Sequence, residues 1–295
     1  MTTLLHLVFQ NNKKTGDVEG IVRFLIQNGA NVNSKDEKGR NALQILFGIP
    51  FTKIFLYAMT QLLIENGIDV NCEDNDGWNA LPVLCGNYKN ENLIDIIRLL
   101  IENGIDVNSK NKDGWNALHL LCKYYENDNL IDIIGLLIGK GIDVNNKDKN
   151  GWNALHYLCR YHKNDNLIDI IRLLIENGID VNFKDYYGSN CLPYLCRYYK
   201  NENLIEIIRL LIGKEIGINS KNNYGSNALH ELCTNYENDN LIDIIQLLIE
   251  NGIEVTSETF NYFTKNYYKE DHNEILQLLG SKEDETRPAK RMKFN

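Results

Sequence analysis

The chain has 295 residues, a net charge of −9 and a pI near 5.2, so it lacks the basic balance that nucleic-acid binders need. No apolar run approaches the roughly 18 residues of a membrane-spanning helix, and we therefore expect no membrane partner. The seven cysteines include no Cys-x-x-Cys pair and no zinc-type Cys/His spacing, which predicts a reducing compartment, cytoplasmic or nuclear, and no bound metal.

An internal repeat dominates the sequence. The string 114–145 returns almost unchanged as 151–182, and more altered copies open at Gly77, Gly188 and Gly225. The opening glycines are 37 residues apart. A period in this range predicts one supersecondary unit that is stacked many times, because a single unit cannot bury its own apolar surface.

In chain order, the first element is a partial repeat over residues 1–33. Its helix from Thr3 to Gln10 has no basic residues before the apolar ones, so we do not interpret it as a signal peptide. The full units are predicted at 34–71, 72–108, 109–145, 146–182, 183–219 and 220–256, with a capping helix pair at 257–280. The repeat domain is thus expected to span 1–280, and the charged segment 281–295 is expected to be disordered.

The sequence pattern of each unit predicts two helices and a turn. In the unit that opens at Gly114, Asn116 is placed to cap a first helix that ends near Cys122. After a polar loop, Asn129 to Asp132 has the form of a capping box for a second, mostly apolar helix. A glycine then ends the second helix, and a polar turn leads to the next unit. One unit replaces this ending with the irregular stretch 214–219.

Three stretches resemble the ankyrin repeat: Gly-Trp-Asn-Ala-Leu-His, Ile-Ile-Arg-Leu-Leu-Ile-Glu-Asn-Gly and Ile-Asp-Val-Asn. That family has a period of about 33 and a Thr-Pro-Leu-His signature. Here Asn-Ala replaces Thr-Pro, and a longer loop between the helices accounts for the longer period. The resemblance implies an all-α solenoid of stacked helix-turn-helix units with projecting hairpin loops. It also implies a non-enzymatic scaffold that binds a protein partner on its concave face of hairpins and first helices.

Tryptophan follows the opening glycine in three successive units, at Trp78, Trp115 and Trp152. Arg40 has the same position in the unit before them. In the family this position resembles a hairpin site that contacts partners, and tryptophan is enriched in binding hot spots. These residues are therefore candidates for partner binding. The alternative is that each ring packs against the neighbouring hairpin.

A basic-aromatic-aromatic triplet recurs in the loop after the first helix. The residues predicted to bind a partner are Lys123 and Tyr124, Arg160 and Tyr161, and Arg197 and Tyr198. Arginine in this surface suits acidic protein groups, since it forms paired hydrogen bonds with carboxylates. Two alternatives remain open. The aromatic residues could hold the long loop in place, or the surface could stack nucleic-acid bases.

The recurring histidines and cysteines predict structure rather than chemistry. His119, His156 and His230 share a repeat position that Pro82 and Pro193 also occupy, and proline cannot transfer protons. No nucleophile, carboxylate, phosphate-binding loop or metal motif accompanies these histidines. We therefore expect no enzyme activity, no cofactor and no small-molecule substrate. The cysteines that recur every 37 residues are interpreted as small core residues.

The C-terminal tail resembles a short nuclear import signal. Its basic residues are Lys290, Arg291 and Lys293, within Pro-Ala-Lys-Arg-Met-Lys-Phe. The sequence thus predicts a protein-binding scaffold of the cytoplasm, the nucleus or both, with a nuclear regulator and a host-directed effector as candidate roles. The alternative is that the chain is a nucleic-acid-associated protein. A protein is nevertheless the expected partner, and nucleic acid is not.

Overall fold

The computed structural model describes residues 3–11, 17–88, 93–235, 240–266 and 272–286. These residues form helices and turns, and no strand occurs among them. The helices are α1 (Leu4–Asn11), α2 (Val18–Gln27), α3 (Ala42–Phe47), α4 (Lys53–Glu65), α5 (Ala80–Asn87), α6 (Ile94–Glu102), α7 (Ala117–Tyr124), α8 (Leu130–Gly139), α9 (Ala154–Tyr161), α10 (Leu167–Glu176), α11 (Cys191–Tyr198), α12 (Leu204–Ile212), α13 (Ala228–Asn235), α14 (Leu241–Glu250), α15 (Ser257–Asn266) and α16 (His272–Thr286). Odd numbers are the first helices of the pairs and even numbers the second helices.

The chain forms two compact units, residues 1–149 with 176–178, and residues 150–175 with 179–295. In the first unit, α1, α3, α5 and α7 contact one another in sequence order. In the second unit, α9, α11, α13 and α15 do the same. Each unit is therefore a stack of helix pairs. No helix in the described ranges is both long and apolar enough to cross a bilayer.

The core of each helix pair follows the apolar pattern of the repeat. Leu118, Leu121 and Cys122 share the buried face of α7. Ile133 and Ile134 are among the fully buried residues of α8. Burial of a branched aliphatic side chain contributes about 1.5–3 kcal/mol, so the stacked faces supply most of the driving force for folding.

Recurring asparagines tie each repeat to the next. The Asn71 Nδ2 atom donates to the Gly104 carbonyl at 2.8 Å, and its Oδ1 atom accepts from the Asp106 amide at 2.7 Å. The same pair of hydrogen bonds recurs at Asn33, Asn108, Asn182 and Asn219. Because both ends of the amide are used, these asparagines fix the spacing of successive turns.

The turns before the opening glycines are also built on side-chain acceptors. The Asn111 Oδ1 atom accepts from the Asp113 and Trp115 amides at 3.0 and 2.9 Å. Gly114 closes the turn with a φ of 83°, and a Cβ atom there would come within 2.8 Å of the Lys147 carbonyl oxygen. Glycine is required at this position by both the left-handed backbone and the close approach of the next turn.

In the repeat that opens at Gly114, the first helix is capped as the sequence predicts, whereas the second helix is not. Asn116 caps α7 as predicted, and its Oδ1 atom accepts from the His119 amide. The capping box predicted at Asn129 is wrong, because the Asn129 side chain makes no cap hydrogen bond. Its Oδ1 atom accepts from the Tyr125 hydroxyl at 2.8 Å instead.

The last helix extends past the predicted domain end. Sequence patterns placed the boundary at 280, whereas α16 continues to Thr286. The expected disorder of 281–295 therefore does not hold for residues 281–286. Residues 287–295, with the predicted import signal Lys290, Arg291 and Lys293, lie outside the described residues.

Candidate functional site

The tryptophans occupy two different environments. Trp78 and Trp115 are half-buried in the first unit. Trp152, in the second unit, is only 8% exposed. Its ring packs against Tyr157 of the same repeat at 5.0 Å and Tyr194 of the next repeat at 4.9 Å. Trp152 is therefore buried against first-helix side chains of its own repeat and of the next one, and it does not project as an exposed anchor.

In the first unit, the basic residue of the triplet covers the tryptophan. The Lys123 Nζ atom lies 4.7 Å from the centre of the Trp115 ring and 4.7 Å from that of Tyr124. A cation over an aromatic face at this distance is favourable by about 0.5–1 kcal/mol at an exposed position. The repeat thus places three of the predicted residues in one cluster.

The two aromatic positions of the triplet have separate roles. The second position is buried at Tyr125, His162 and Tyr199. Each of these side chains hydrogen-bonds an asparagine at the start of the following helix, at 2.8, 2.9 and 2.7 Å, respectively. The second aromatic residue therefore holds the long loop in place. The first position, at Tyr124, Tyr161 and Tyr198, stays at least partly exposed.

In the second unit the predicted residues form a compact cluster around Arg160. Its guanidinium carbon lies 4.9 Å from the Tyr198 ring centre and 5.4 Å from those of Tyr161 and Trp152. The Arg197 guanidinium carbon lies 5.4 Å from the same Tyr198 ring. Two cations thus share one aromatic ring.

A carboxylate lies beside one of these cations. The Arg197 Nη1 atom is 3.1 Å from the Glu231 Oε2 atom. Glu231 is 9% exposed. Burial raises the pKa of the Glu231 carboxyl above its ordinary value, although Arg197 acts in the opposite direction. The fold therefore holds this carboxylate at a position where water solvates it poorly.

The arginines line a groove of about 390 Å³ between first helices and hairpins of the second unit. Its hairpin side includes Tyr187 and Tyr224, which are 51% and 85% exposed. Its helix side includes Tyr194, whose hydroxyl donates to Asp185 Oδ2 at 2.5 Å. Burial, together with this hydrogen bond, raises the pKa of Tyr194, so the phenol stays protonated. The Tyr194 ring is thereby held rigidly in the wall of the groove.

Four residues of the groove are absent from the set predicted from the sequence: Tyr187, Tyr194, Tyr224 and Glu231. The sequence does contain a signal for two of them. Tyr187 and Tyr224 immediately precede the opening glycines of the repeats that have serine in place of tryptophan. The aromatic residue has moved from one side of the glycine to the other. Tyr194 and Glu231 occupy one helix position, but nothing local indicates that this position faces a groove.

Arg40 differs from the other predicted residues. Its Nη2 atom is 2.7 Å from Asp36 Oδ2, and the side chain is partly buried in the first unit. Burial acts to raise the pKa of Asp36, but the hydrogen bonds and charge of Arg40, together with the Lys38 amide, hold that pKa below its ordinary value. Arg40 therefore stabilises its own hairpin.

The histidines and cysteines are structural in the described residues. His119 Nδ1 accepts from the Asn116 amide at 3.1 Å, while Nε2 contacts the Asn146 carbonyl of the next turn at 3.1 Å. Burial raises the pKa of the Cys85 thiol to about 12 and that of Cys122 as well, so neither is a nucleophile at neutral pH. No group of His, Cys, Asp and Glu with metal-binding geometry occurs in the part of the chain that the structure describes.

Comparison with known proteins identifies relatives of the fold. A family model described as ankyrin repeats (3 copies) matches residues 5–111, 53–148, 88–185 and 165–259. The ankyrin repeat domain of Bcl-3, described as a unique member of the IκB protein family, is 22% identical with a TM-score of 0.54, over 83% of this chain and 98% of that one. An ankyrin repeat domain from Acinetobacter baumannii AYE is 23% identical with a TM-score of 0.57, over 72% and 97%. No curated protein sequence matches the chain.

Proposed function

The chain belongs to the ankyrin-repeat family, whose repeats serve in general as protein-interaction modules, and we propose that it is a non-enzymatic scaffold that binds a protein partner through its hairpins and first helices. The observation that carries this proposal is the clustering of cations and tyrosines in the groove around Arg160. Arginine and tyrosine are enriched among the residues that dominate binding energy at protein interfaces. Tyrosine also offers a large contact area at a low cost in conformational entropy.

The first unit supports the same proposal with a smaller cluster. Lys123 lies over Trp115 and Tyr124, on the same part of the repeat as Arg160 in the second unit. The second helices offer a contrasting surface, where exposed charges form local ion pairs such as Arg172 with Asp169 at 3.0 Å. The Bcl-3 domain shares only the fold at 22% identity, so it does not specify a partner for this chain.

Affinity capture from a eukaryotic cell lysate, followed by mass spectrometry, tests the proposal. One variant combines Lys123→Ser with Tyr124→Ser, and a second combines Arg160→Ser with Tyr198→Ser. The matched control carries Arg172→Ser and Arg209→Ser on the second helices, where both side chains are exposed. Circular dichroism establishes that every variant is folded.

We expect at least one captured protein to be lost from a hairpin-side variant and retained by the control. The same captured proteins on all folded variants would contradict the proposal, since the hairpin side would then contribute nothing to binding. Loss of a partner from the control alone would place recognition on the second helices.

A further inference from the structure

We infer that the groove around Arg160 binds an acidic peptide segment of the partner, with a carboxylate against Arg160 and neighbouring apolar side chains against the exposed tyrosines. This inference rests on the proposed function and specifies the chemistry of the partner. The groove comprises Arg160, Tyr187, Tyr194, Arg197, Tyr198 and Glu231, with Tyr224 at its rim.

The charge of Arg160 is unmatched among the described residues. Its guanidinium is half-buried among three aromatic rings, and no described residue forms an ion pair with it. Aromatic faces attract a cation but satisfy none of its five N–H donors. A carboxylate can accept two of those hydrogen bonds at once, which makes it the chemical group that fits this position best.

A carboxylate of this chain already pairs with the neighbouring cation. Glu231 pairs with Arg197, and Arg197 shares the Tyr198 ring with Arg160. Two cations at one ring repel each other, and Glu231 offsets that repulsion at one of them only. A second carboxylate, from a bound peptide, would complete an alternating set of charges within a partly desolvated groove, where ion pairs are stronger than in water.

The walls of the groove are rich in tyrosine. Tyr187 and Tyr224 expose their rings, while Tyr194 is held in place by Asp185 and Trp152. Apolar or proline side chains next to the acidic residue would cover these rings. A volume of about 390 Å³ suits a few side chains of an extended segment rather than a folded surface.

The same charges disfavour a nucleic acid as the occupant. Nucleic-acid binding gains its affinity by neutralising several phosphates. This groove has two arginines and one glutamate, within a chain of net charge −9. The groove can neutralise one carboxylate of a ligand. The net negative charge of the rest of the protein would repel a run of phosphates.

Selection from a display library of short random peptides against the folded full chain tests the inference. We expect the selected peptides to share an Asp or Glu next to apolar residues. Replacing that acid by its amide should weaken binding about tenfold or more, which is the effect of losing a central arginine contact. Arg160→Gln should cause a similar loss and Arg160→Lys a smaller one, because lysine keeps the charge without the paired donors.

Arg209→Gln is the matched control, since it removes one exposed arginine from α12 of the same unit. Circular dichroism shows whether each variant is folded. Peptides that lack a shared acid, or that bind Arg160→Gln as well as the unaltered chain, would overturn the inference but leave the proposed scaffold function standing. Failure to enrich any peptide would overturn it too, and so would tighter binding of a mixed-sequence single-stranded oligonucleotide.

Discussion

Glu215 is the one non-glycine residue in the described chain with a positive φ, at 59°. It follows α12 at the position where α10 is followed by Gly178, with a φ of 83°. A side chain in the left-handed region costs about 1–2 kcal/mol, because the Cβ atom crowds the following carbonyl oxygen. The Glu215 carbonyl still accepts a hydrogen bond from Asn182, so the repeat keeps its geometry at a local energetic cost.

Glu215→Gly should therefore raise the free energy of unfolding by about 1 kcal/mol, the relief of strain less the added entropy of the unfolded chain. Urea denaturation followed by circular dichroism measures this change. The matched control is Gly252→Ala, where φ is 85° and no atom lies near the new methyl group. Gly252→Ala should lower the free energy of unfolding. If both changes shifted this free energy in the same direction and to the same extent, backbone strain would not be the cause.

The buried ring of His6 contacts two backbone groups. Its Nδ1 atom accepts from the Thr3 amide at 3.1 Å, and Nε2 contacts the Ser34 carbonyl at 3.0 Å, so the neutral ring fits both partners. Burial lowers the pKa of His6 below 6.5. Because the unfolded chain binds the proton more readily, the contribution of His6 to stability is present above pH 6.5 and is lost as the pH falls through the lowered pKa.

His6→Gln should reduce this loss at acid pH, since the next repeat already has a glutamine at the equivalent position. Gln44 accepts from the Asn41 amide at 3.0 Å and donates to the Trp78 carbonyl at 2.6 Å. Thermal melts from pH 7 to pH 5 measure the difference in pH dependence between the two proteins. Identical pH dependence would exclude His6 as a contributor.

At the scale of an element, the loop between paired helices is held by the second aromatic residue of each triplet. The Tyr199 hydroxyl donates to Asn203 Oδ1 at 2.7 Å and also contacts the Asn164 carbonyl of the preceding repeat at 3.3 Å. One side chain thus joins α11, the start of α12 and the neighbouring loop. This arrangement explains how a loop longer than that of the usual repeat stays ordered.

Tyr199→Phe should lower the free energy of unfolding by about 1–3 kcal/mol, because removal of the hydroxyl leaves partly buried acceptors without their donor. Tyr198→Phe is the matched control, since it is the adjacent tyrosine and its hydroxyl forms no hydrogen bond within the described chain. Chemical denaturation compares the two variants. A loss of stability in both to the same extent would contradict the distinction between buried and exposed triplet positions.

Residues 288–294 contain the predicted import signal, which would carry the whole scaffold into the nucleus. A fusion of the full chain to a fluorescent protein should accumulate in the nucleus of eukaryotic cells. Replacement of Lys290, Arg291 and Lys293 by alanine should return it to the cytoplasm, because the receptor for such a signal reads a basic cluster. Fluorescence microscopy measures the nuclear fraction. Lys282→Ala and Lys265→Ala together form the control, and equal nuclear fractions in all three proteins would reject the signal.

The architecture follows from the repeat pattern of the sequence alone. The family model and the stacked helix pairs confirm the predicted repeat fold. The period, the cap at Asn116 and the left-handed glycine at Gly114 were accessible because each depends on interactions within one repeat or with an identical neighbour. Because the pattern recurs many times, helix positions could be predicted even in single repeats, such as 183–219, that depart from it.

Which candidate residues face solvent depends on contacts between side chains of neighbouring repeats. Trp115 and Trp152 are equivalent in sequence, yet Trp152 is buried because Tyr157 and Tyr194 pack around it, whereas Leu120 takes the place of Tyr157 beside Trp115. The two aromatic residues of each triplet likewise look alike in sequence. They differ only in the folded chain, where the second one is buried and hydrogen-bonds an asparagine. The pairing of Arg197 with Glu231 joins positions 34 residues apart. Such contacts depend on how neighbouring repeats stack, and no pattern within one repeat records them.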